Sequence, residues 1–283
     1  MECYQRKKKR FQLRGADAAT SASLEETDAH PHDSVVTTYI YASTELIHLV
    51  ESHFGGIGAT EEVLRLLLEW ELGILPLERT DLWYGRAFIL SHYIRLGQDH
   101  VAFNHMKWRN LGMRNMPLRV YDMFESPDGW WDPENVDIIQ ASALALIKVR
   151  LLLDLQAIQN AARGLGGDGF GKLPREILDL IRWKLTNSSL LEVRPQLLSA
   201  SKDDVFALIQ MLKGHIRTLF RLMVDHTYFF PLPLGSRAGL MKDRGPTGRA
   251  CHYAWVESPG AMDVAAAVAE AIEGETEVPV RED

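Results

Sequence analysis

The chain has 283 residues, a formal net charge of −7 and 46% hydrophobic residues, an ordinary balance for a globular protein. The acidic balance argues against a nucleic-acid binder, because phosphate contacts need a concentrated basic face. Two cysteines, Cys3 and Cys251, are too few for a disulfide framework, which favours a reducing, cytoplasmic setting. No uninterrupted run of about 18 apolar residues occurs, so we expect no membrane-spanning helix and no membrane partner.

Both ends of the chain lack an apolar pattern. Residues 1–33 and the acidic residues 274–283 are therefore expected to be disordered, on either side of one helical domain over residues 34–273. Residues 6–10 are all basic and form a candidate nuclear address or RNA contact. A solvated terminus is the interpretation that we favour for this charge run.

Residues 34–54 are predicted to form the first helix, because Asp33 can cap its start and Gly55 and Gly56 can end it. Its apolar residues recur at helical spacing. The positions that we expect to face the core are Val35, Tyr39, Ala42, Leu46, Leu49 and His53.

A second helix is predicted to begin after Thr60, where two glutamates complement the positive end of the helix dipole, and to end at Pro76. Two further helices are predicted over residues 82–95 and 98–110, joined by a turn at Gly97. The expected core positions of the second helix are Val63, Leu66, Trp70 and Ile74.

Residues 86–106 resemble a single tetratricopeptide unit, in which Tyr93 and Ala102 take the positions of the motif's tyrosine and small residue. No copy of this pattern occurs one repeat length, about 34 residues, to either side. The resemblance therefore implies a helical hairpin and not a repeat array.

Residues 142–162 carry the clearest helical signal in the chain. Leu144, Ile147, Leu151 and Leu155 recur at spacings of three and four, and a second face of the same segment is apolar too. A helix that is apolar on more than one face is normally enclosed by other helices. The sequence therefore predicts an all-α fold, in which antiparallel helical hairpins surround this central helix in a tetratricopeptide-like style without a regular repeat.

The glycine-rich residues 164–171 match the first part of a phosphate-binding loop, from Gly166 to Lys172. Such a loop needs a preceding strand and a hydroxyl for Mg²⁺, whereas a predicted helix precedes it here and Leu173 takes the hydroxyl position. We expect a connector and no cofactor.

Residues 173–185 resemble the opening of an F-box, the helical motif that links substrate receptors to a ubiquitin ligase. The resemblance implies an adaptor of such a ligase. It ends at Leu185, because the residues beyond it follow the rest of the pattern poorly.

A long helix is predicted to begin at a capping box formed by Ser201 and Asp204 and to stop before Pro231 and Pro233. Residues 235–250 are interpreted as a loop, and a last, alanine-rich helix follows them. The expected core positions of the long helix are Val205, Leu208, Leu212, Ile216, Leu219 and Met223.

Candidate binding residues fall in two segments that we interpret as loops, residues 111–135 and 226–256. Aromatic and arginine side chains are enriched at interaction hot spots, and the basic excess of the second segment favours an acidic partner. Two histidine pairs are five residues apart and not three or four, so no metal site is predicted. The candidates are Trp130, Trp131, His226, Arg237, Arg244, Arg249, His252 and Trp255.

Several blocks of sequence occur in a recognisable order: residues 95–99, 103–108, 122–125, 146–160, 174–182 and 255–263. Together they resemble a group of proteins from filamentous fungi to which no activity is assigned. The resemblance extends over residues 80–270. It implies an intracellular, all-helical fungal protein and no particular function.

The leading functional hypothesis is a protein-interaction or scaffold module, because no catalytic motif occurs and helical hairpins leave grooves between them. One alternative is an enzyme or small-molecule binder with a pocket formed by residues 111–135 and 226–256. Another is an F-box-like adaptor through residues 173–185.

Overall fold

A computed structural model of the chain describes residues 31–77, 85–110, 121–130, 137–164, 200–226 and 245–276, with short pieces between 176 and 198. These described residues contain eight α-helices, two 3₁₀ turns and no strand, which confirms the predicted all-α class for them. The helices are α1 (Pro31–Phe54), α2 (Glu61–Ile74), α3 (Gly85–Arg95), α4 (Asp99–Asn110), α5 (Ile138–Gly164), α6 (Lys202–His226), α7 (Gly245–Val256) and α8 (Ala261–Thr276).

Helix α5 is the buried centre of the fold. Every residue from 140 to 152 is buried, and Leu151, Leu155 and Ile158 have no exposed surface. Helix α6 packs along α5, and α3, α4, α7 and α8 contact it as well. The central helix predicted over 142–162 is therefore confirmed, with a few more residues at each end.

The structure of helix α6 also agrees closely with the prediction from its sequence. The backbone N–H of Asp204 donates to Ser201 Oγ at 3.1 Å, and the backbone N–H of Ser201 donates to Asp204 Oδ2 at 3.3 Å, so the predicted capping box is present. All six predicted core positions are buried except Leu208, which is half-buried. The stops predicted at residues 231 and 233 lie outside the described residues.

Helices α1 and α2 form a hairpin with a small core of its own, separate from the main core. This second core consists of Ile40 and Ile47 from α1 with Leu67 and Ile74 from α2. Helix α2 also packs against α3, which in turn contacts α4, α5 and α7. The hairpin is therefore an outer layer that reaches the rest of the fold mainly through α3.

The face of α1 that the sequence analysis assigned to the core points outward. Val35 and Leu49 are 56% and 55% exposed. The buried positions of α1 lie on the opposite side of the helix and are Ile40, Thr44, Ile47 and Glu51. The prediction was wrong because α1 is apolar on two opposite sides, and the side with polar Thr44 and Glu51 looks like the outer one in the sequence alone.

The predicted core face of α2 was also partly wrong. Of its predicted core positions only Ile74 is buried, Val63 and Trp70 are half-buried, and Leu66 is exposed. The buried face consists of Leu64, Leu67, Leu68, Glu71 and Ile74. A glutamate again lies on the inner side, where hydrophobic periodicity does not expect one.

Helix α7 corrects the interpretation of residues 226–256 and 235–250 as loops, because residues 245–256 are helical. Its buried side chains include Ala250, Cys251 and Ala254, spaced to lie on one helical face that packs against α3 and α5. Burial of this face outweighs the low helix propensity of the glycine-rich start. Residues 227–244 lie outside the described residues.

Some of the predictions about turns, connecting segments and chain ends can be compared with the structure. The turn at Gly97 is confirmed, and its φ of 71° is one that glycine adopts readily. Residues 121–130 form an ordered turn in which the backbone N–H of Tyr121 donates to Asn104 Oδ1 at 3.0 Å. The glycine connector at 165–171 and the chain ends, residues 1–30 and 277–283, lie outside the described residues. None of the described helices is long and apolar enough to cross a lipid bilayer.

Candidate functional site

A buried polar cluster joins the α1–α2 hairpin to α3 and α7. We call it the hairpin joint, and its residues are Glu51, Glu71, His92, Arg95 and Glu257. His92 has no exposed surface and lies between two carboxylates: its Nδ1 is 3.0 Å from Glu71 Oε2 and its Nε2 is 3.1 Å from Glu51 Oε2. With both carboxylates ionised, both ring nitrogens of His92 act as donors, which only the protonated imidazole can do.

His92 and the carboxylates beside it shift each other's pKa values. Burial alone would lower the pKa of His92, but the charge of Glu71 and hydrogen bonds to both carboxylates raise it to about 9. Burial raises the pKa of Glu71, and the nearby His92 opposes that rise. His92 therefore keeps its proton at neutral pH and connects α1, α2 and α3 through two charge-assisted hydrogen bonds.

Arg95 extends the joint to the loop between α1 and α2. Its Nε and Nη2 donate to Glu257 Oε2 and Oε1 at 2.8 and 2.9 Å, a bidentate pair. Its Nη1 and Nη2 also donate to the carbonyl oxygens of Gly55 and Gly56, each at 2.7 Å. The backbone N–H of Gly58 donates to Glu257 Oε1 at 2.8 Å. Three hydrogen bonds thus hold this loop against Arg95 of α3 and Glu257, the residue that follows α7, and two more join those two side chains to each other.

The centre of the joint is sealed from solvent, which limits what it can do, while Glu257 at its edge is partly exposed. Glu51, Glu71 and His92 are all buried, so a substrate in solution cannot reach them. Among the described residues, no group of three or more histidine, cysteine, aspartate or glutamate side chains is arranged to bind a metal ion. The visible role of the joint is structural: together with the packing of Ile40 and Ile47, the contact of Glu51 with His92 holds the inner side of α1.

A second buried ion pair lies where α3 and α4 meet α5. Arg150 Nε is 3.2 Å from Asp99 Oδ2, and Arg150 Nη1 donates to the carbonyl of Ile94 at 2.6 Å. Burial raises the pKa of Asp99 to about 7, although Arg150 opposes this and Asp154 adds to it. The pair positions the α3–α4 turn on the central helix.

Lys148 ties the turn at residues 121–130 to α5. Its ammonium group donates to the carbonyls of Met123 and Glu125, both at 2.6 Å. Burial lowers the pKa of Lys148 to about 7, although the charges of Asp122 and Glu125 oppose that change. Both of the acceptors are backbone atoms of the turn, so the visible role of Lys148 is to hold the turn in place.

The two described tryptophans among the predicted site residues have different surroundings. Trp130 is half-buried, with its ring 5.0 Å from that of Phe103 and with the ammonium of Lys107 5.2 Å from its centre. Trp255 is buried, and its indole N–H donates to Ser142 Oγ at 3.1 Å. Trp255 is therefore part of the main core.

The other predicted site residues are placed only in part. Arg249 and His252 are half-buried on α7, and His226 is the last residue of α6. Trp131, Arg237 and Arg244 lie outside the described residues. An acidic partner at this segment therefore stays a prediction. So does an F-box-like adaptor, because most of residues 173–185 also lie outside the described residues.

The outward face of α1 is the candidate functional site. We call it the outer stripe, and its residues are those predicted to face the core: Val35, Tyr39, Ala42, Leu46, Leu49 and His53. Val35, Ala42, Leu49 and His53 are exposed, while Tyr39 and Leu46 are half-buried. The stripe is one part of a wider trend, because eight of the twelve exposed large apolar side chains among the described residues lie in residues 31–77.

Sequence reasoning missed the hairpin joint altogether. Its signal was present in two places, since Glu51 lies four residues after Ile47 and Glu71 lies four residues after Leu67, each on an apolar stripe. A charge at such a position indicates a buried partner elsewhere in the chain. Nothing local to His92 identifies it as that partner.

Comparison of the chain with protein-family models, with curated proteins and with solved structures found no match. The resemblance to the fungal proteins therefore stays a prediction. The case for a function depends on the geometry of the outer stripe and of the joint behind it.

Proposed function

We propose that this chain is a protein-interaction module that binds a partner through the outer stripe of α1. The observation that carries the proposal is the concentration of exposed apolar side chains on the α1–α2 hairpin, with Val35 and Leu49 each more than half exposed. Single exposed apolar residues are normal on any surface, whereas a clustered apolar surface is typical of an interaction site.

The inner side of α1, opposite the outer stripe, packs against the rest of the protein. Glu51 binds His92 on the inner side of α1, and Ile40 and Ile47 pack into the second core. A binding surface that is already ordered loses less conformational entropy when a partner binds. This arrangement supports a preformed docking face.

The charge of α1 favours a protein as the partner. Helix α1 contains no lysine or arginine, and its acidic residues are Asp33, Glu45 and Glu51. Helices that lie on membranes normally carry basic residues on their polar face, and nucleic-acid surfaces need basic contacts. An apolar helix face of another protein is the partner that fits such a stripe.

The proposal is tested by affinity capture with the tagged full chain, followed by quantitative mass spectrometry. The variant Val35→Ser with Leu49→Ser removes apolar surface from the stripe. The matched control is Phe206→Ser with Val224→Ser on α6, where both side chains are also exposed. We expect captured proteins, including untagged copies of the chain itself, to be lost with the stripe variant and kept with the control.

Circular dichroism of both variants checks that the helices remain folded. If the stripe variant captures the same proteins in the same amounts as the control, the outer stripe is not a binding surface and the proposal is wrong.

A further inference from the structure

We propose that the α1–α2 hairpin is a lid, which opens from α3 as one folded unit while the other helices stay packed, and that the hairpin joint is the latch that closes it. The inference goes beyond the proposed function and does not depend on what binds the outer stripe. It depends on three features of the structure, namely the separate core of the hairpin, the row of contacts along α3 and the charged character of the joint.

The hairpin can move without losing its own packing. Its core of Ile40, Ile47, Leu67 and Ile74 shares no residue with the main core. Helix α1 packs mainly on α2, and α2 packs on α1 and α3. The other helices all follow the hairpin in the chain, which passes to them only once, after Leu77. The hairpin can therefore leave α3 without the unfolding of any other described helix.

The hairpin covers one face of α3. Phe88, His92 and Arg95 are spaced by four and three residues, so they lie on the same side of that helix. The side chains of all three are buried in the closed form that the structure shows. Opening of the lid exposes this face, which combines an aromatic ring with two cationic groups.

The contacts between the hairpin and this face form one row. Glu71 joins α2 to the row through His92 Nδ1. The residues of α1 and α3 meet in the same order along both helices, so their contacts separate together when the hairpin moves away. The pairs are His48 with Phe88, at 5.5 Å between ring centroids, Glu51 with His92, and the Gly55 carbonyl with Arg95.

The charges of the joint make this boundary easier to open than the main core. When paired charges separate into water they regain hydration, which offsets much of the lost pairing. Apolar side chains have no such compensation when they become exposed. The contact of Arg95 with Glu257 lies at the edge of the joint, where the Glu257 side chain is 23% exposed. We therefore expect the hairpin to open from α3 more often than the helices around α5 separate.

Native-state hydrogen exchange of the full chain, measured by mass spectrometry at low urea concentrations, tests the lid. The protected amides of α1 and α2 should share one opening free energy, lower than that of α5 and α6. We expect their exchange to be about tenfold or more faster than that of α5. One opening free energy shared by all of these helices would mean that the hairpin opens only when the whole chain unfolds, which would overturn the inference.

Ile158→Val distinguishes opening of the lid from global unfolding. Ile158 has no exposed surface on α5, which stays packed when only the hairpin opens. The substitution destabilises the closed and the open form equally relative to the unfolded chain. Exchange in α5 should therefore become about threefold or more faster, while exchange in α1 and α2 stays unchanged. Faster exchange of the hairpin by the same factor would contradict a separate open form.

Glu257→Gln tests the latch. It weakens contacts with Arg95 and Gly58 that only the closed form has, so exchange in α1 and α2 should become about tenfold faster. Exchange in α5 should rise by the same factor, because global unfolding also starts from the closed form. The control Glu270→Gln should change neither. Unchanged hairpin exchange in Glu257→Gln would show that the joint does not close the lid, and the inference would be wrong.

Gly55→Ala tests the latch without removing a charge. A Cβ at Gly55 would overlap the carboxylate of Glu51 and displace it from His92, whereas a Cβ at Gly56 would meet nothing within 4 Å. Gly56→Ala is therefore the matched control, because both carbonyls accept from Arg95. We expect faster hairpin exchange in Gly55→Ala alone, with an unchanged circular dichroism spectrum. Equal exchange in the two variants would count against the contact of Glu51 with His92 as part of the latch.

Discussion

The main core and the hairpin joint hold helices together by different physical means. Around α5 most contacts are apolar, and residues such as Leu151 and Leu155 have no exposed surface, although Arg150 and Lys148 of the same helix make buried polar contacts. In the joint, His92 and Arg95 contact Glu51, Glu71 and Glu257 through hydrogen bonds and charge. Apolar burial is non-directional, whereas charged hydrogen bonds need a particular geometry. The difference shows that enclosure by apolar contacts dominates at α5, whereas directional polar contacts help to orient α1.

The joint makes the outer layer sensitive to the loss of one charged partner, whereas the apolar contacts around α5 contain no charge to lose. Removing one partner of a buried ion pair leaves an uncompensated charge, while a core apolar residue leaves only a cavity when it is shortened. If orientation of the outer stripe matters for binding, the joint and the stripe should lose function together. The following predictions test the contrast between the two regions.

The largest expected effect is that of His92→Leu. It leaves the buried carboxylates of Glu51 and Glu71 without their shared cation, and we expect the free energy of unfolding to fall by about 3–5 kcal/mol. Urea denaturation measures this value. The control His53→Leu changes an exposed histidine of α1 and should stay within about 0.5 kcal/mol. A loss below about 1 kcal/mol in His92→Leu would mean that the joint contributes little.

Leu151→Ala tests the main core. Leu151 is completely buried on α5, so the substitution removes apolar contacts and leaves a cavity. The expected loss of unfolding free energy is about 2–5 kcal/mol. Val224→Ala on α6, where the side chain is 41% exposed, should cost far less. Equal small losses for both would contradict the placement of α5 at the centre.

Stability should depend on pH through His92. Its pKa is raised from 6.5 to about 9 in the folded chain, so its contribution is complete below pH 6.5 and is lost as pH rises through about 9. We expect the difference in unfolding free energy between wild type and His92→Gln to shrink across that range. Lys148, whose pKa is lowered to about 7, has the opposite dependence, but it is present in both proteins and cancels. A difference that is constant from pH 6.5 to pH 9 would show that His92 is uncharged in the folded chain.

Glu257→Gln should have a smaller effect than loss of His92. It weakens the bidentate contact with Arg95 and the hydrogen bond from Gly58, and we expect a loss of about 1–3 kcal/mol. Glu270→Gln on the exposed side of α8 is the control and should be neutral within error. Faster amide hydrogen exchange at Gly58 in the Glu257 variant alone would locate the change in the α1–α2 loop. Unchanged exchange there would contradict the role given to Glu257.

The smallest effect is expected from deletion of residues 1–30. They carry no apolar pattern in the sequence, and α1 begins at Pro31. The melting temperature of the shortened chain should stay within a few degrees of that of the full chain. A large fall would show that this segment packs against the helices, with the outer stripe as the first place to look.

The sequence by itself determined the fold class and the centre of the molecule. Residues 142–162 are apolar on more than one side, and such a helix has to be enclosed whatever its neighbours are. The capping box of Ser201 and Asp204 and the inner face of α6 could be predicted for the same reason. Each depends on residues that are close together in the chain.

Only the tertiary structure decided which side of α1 faces inward and that residues 245–256 are helical. Helix α1 is apolar on two opposite sides, so periodicity cannot choose between them. The choice depends on Glu51, whose partner His92 lies 41 residues away, and on Glu71, which shares that partner. Such a pairing stabilises one orientation through charge and burial together, and neither residue reveals it from its own neighbours in the chain.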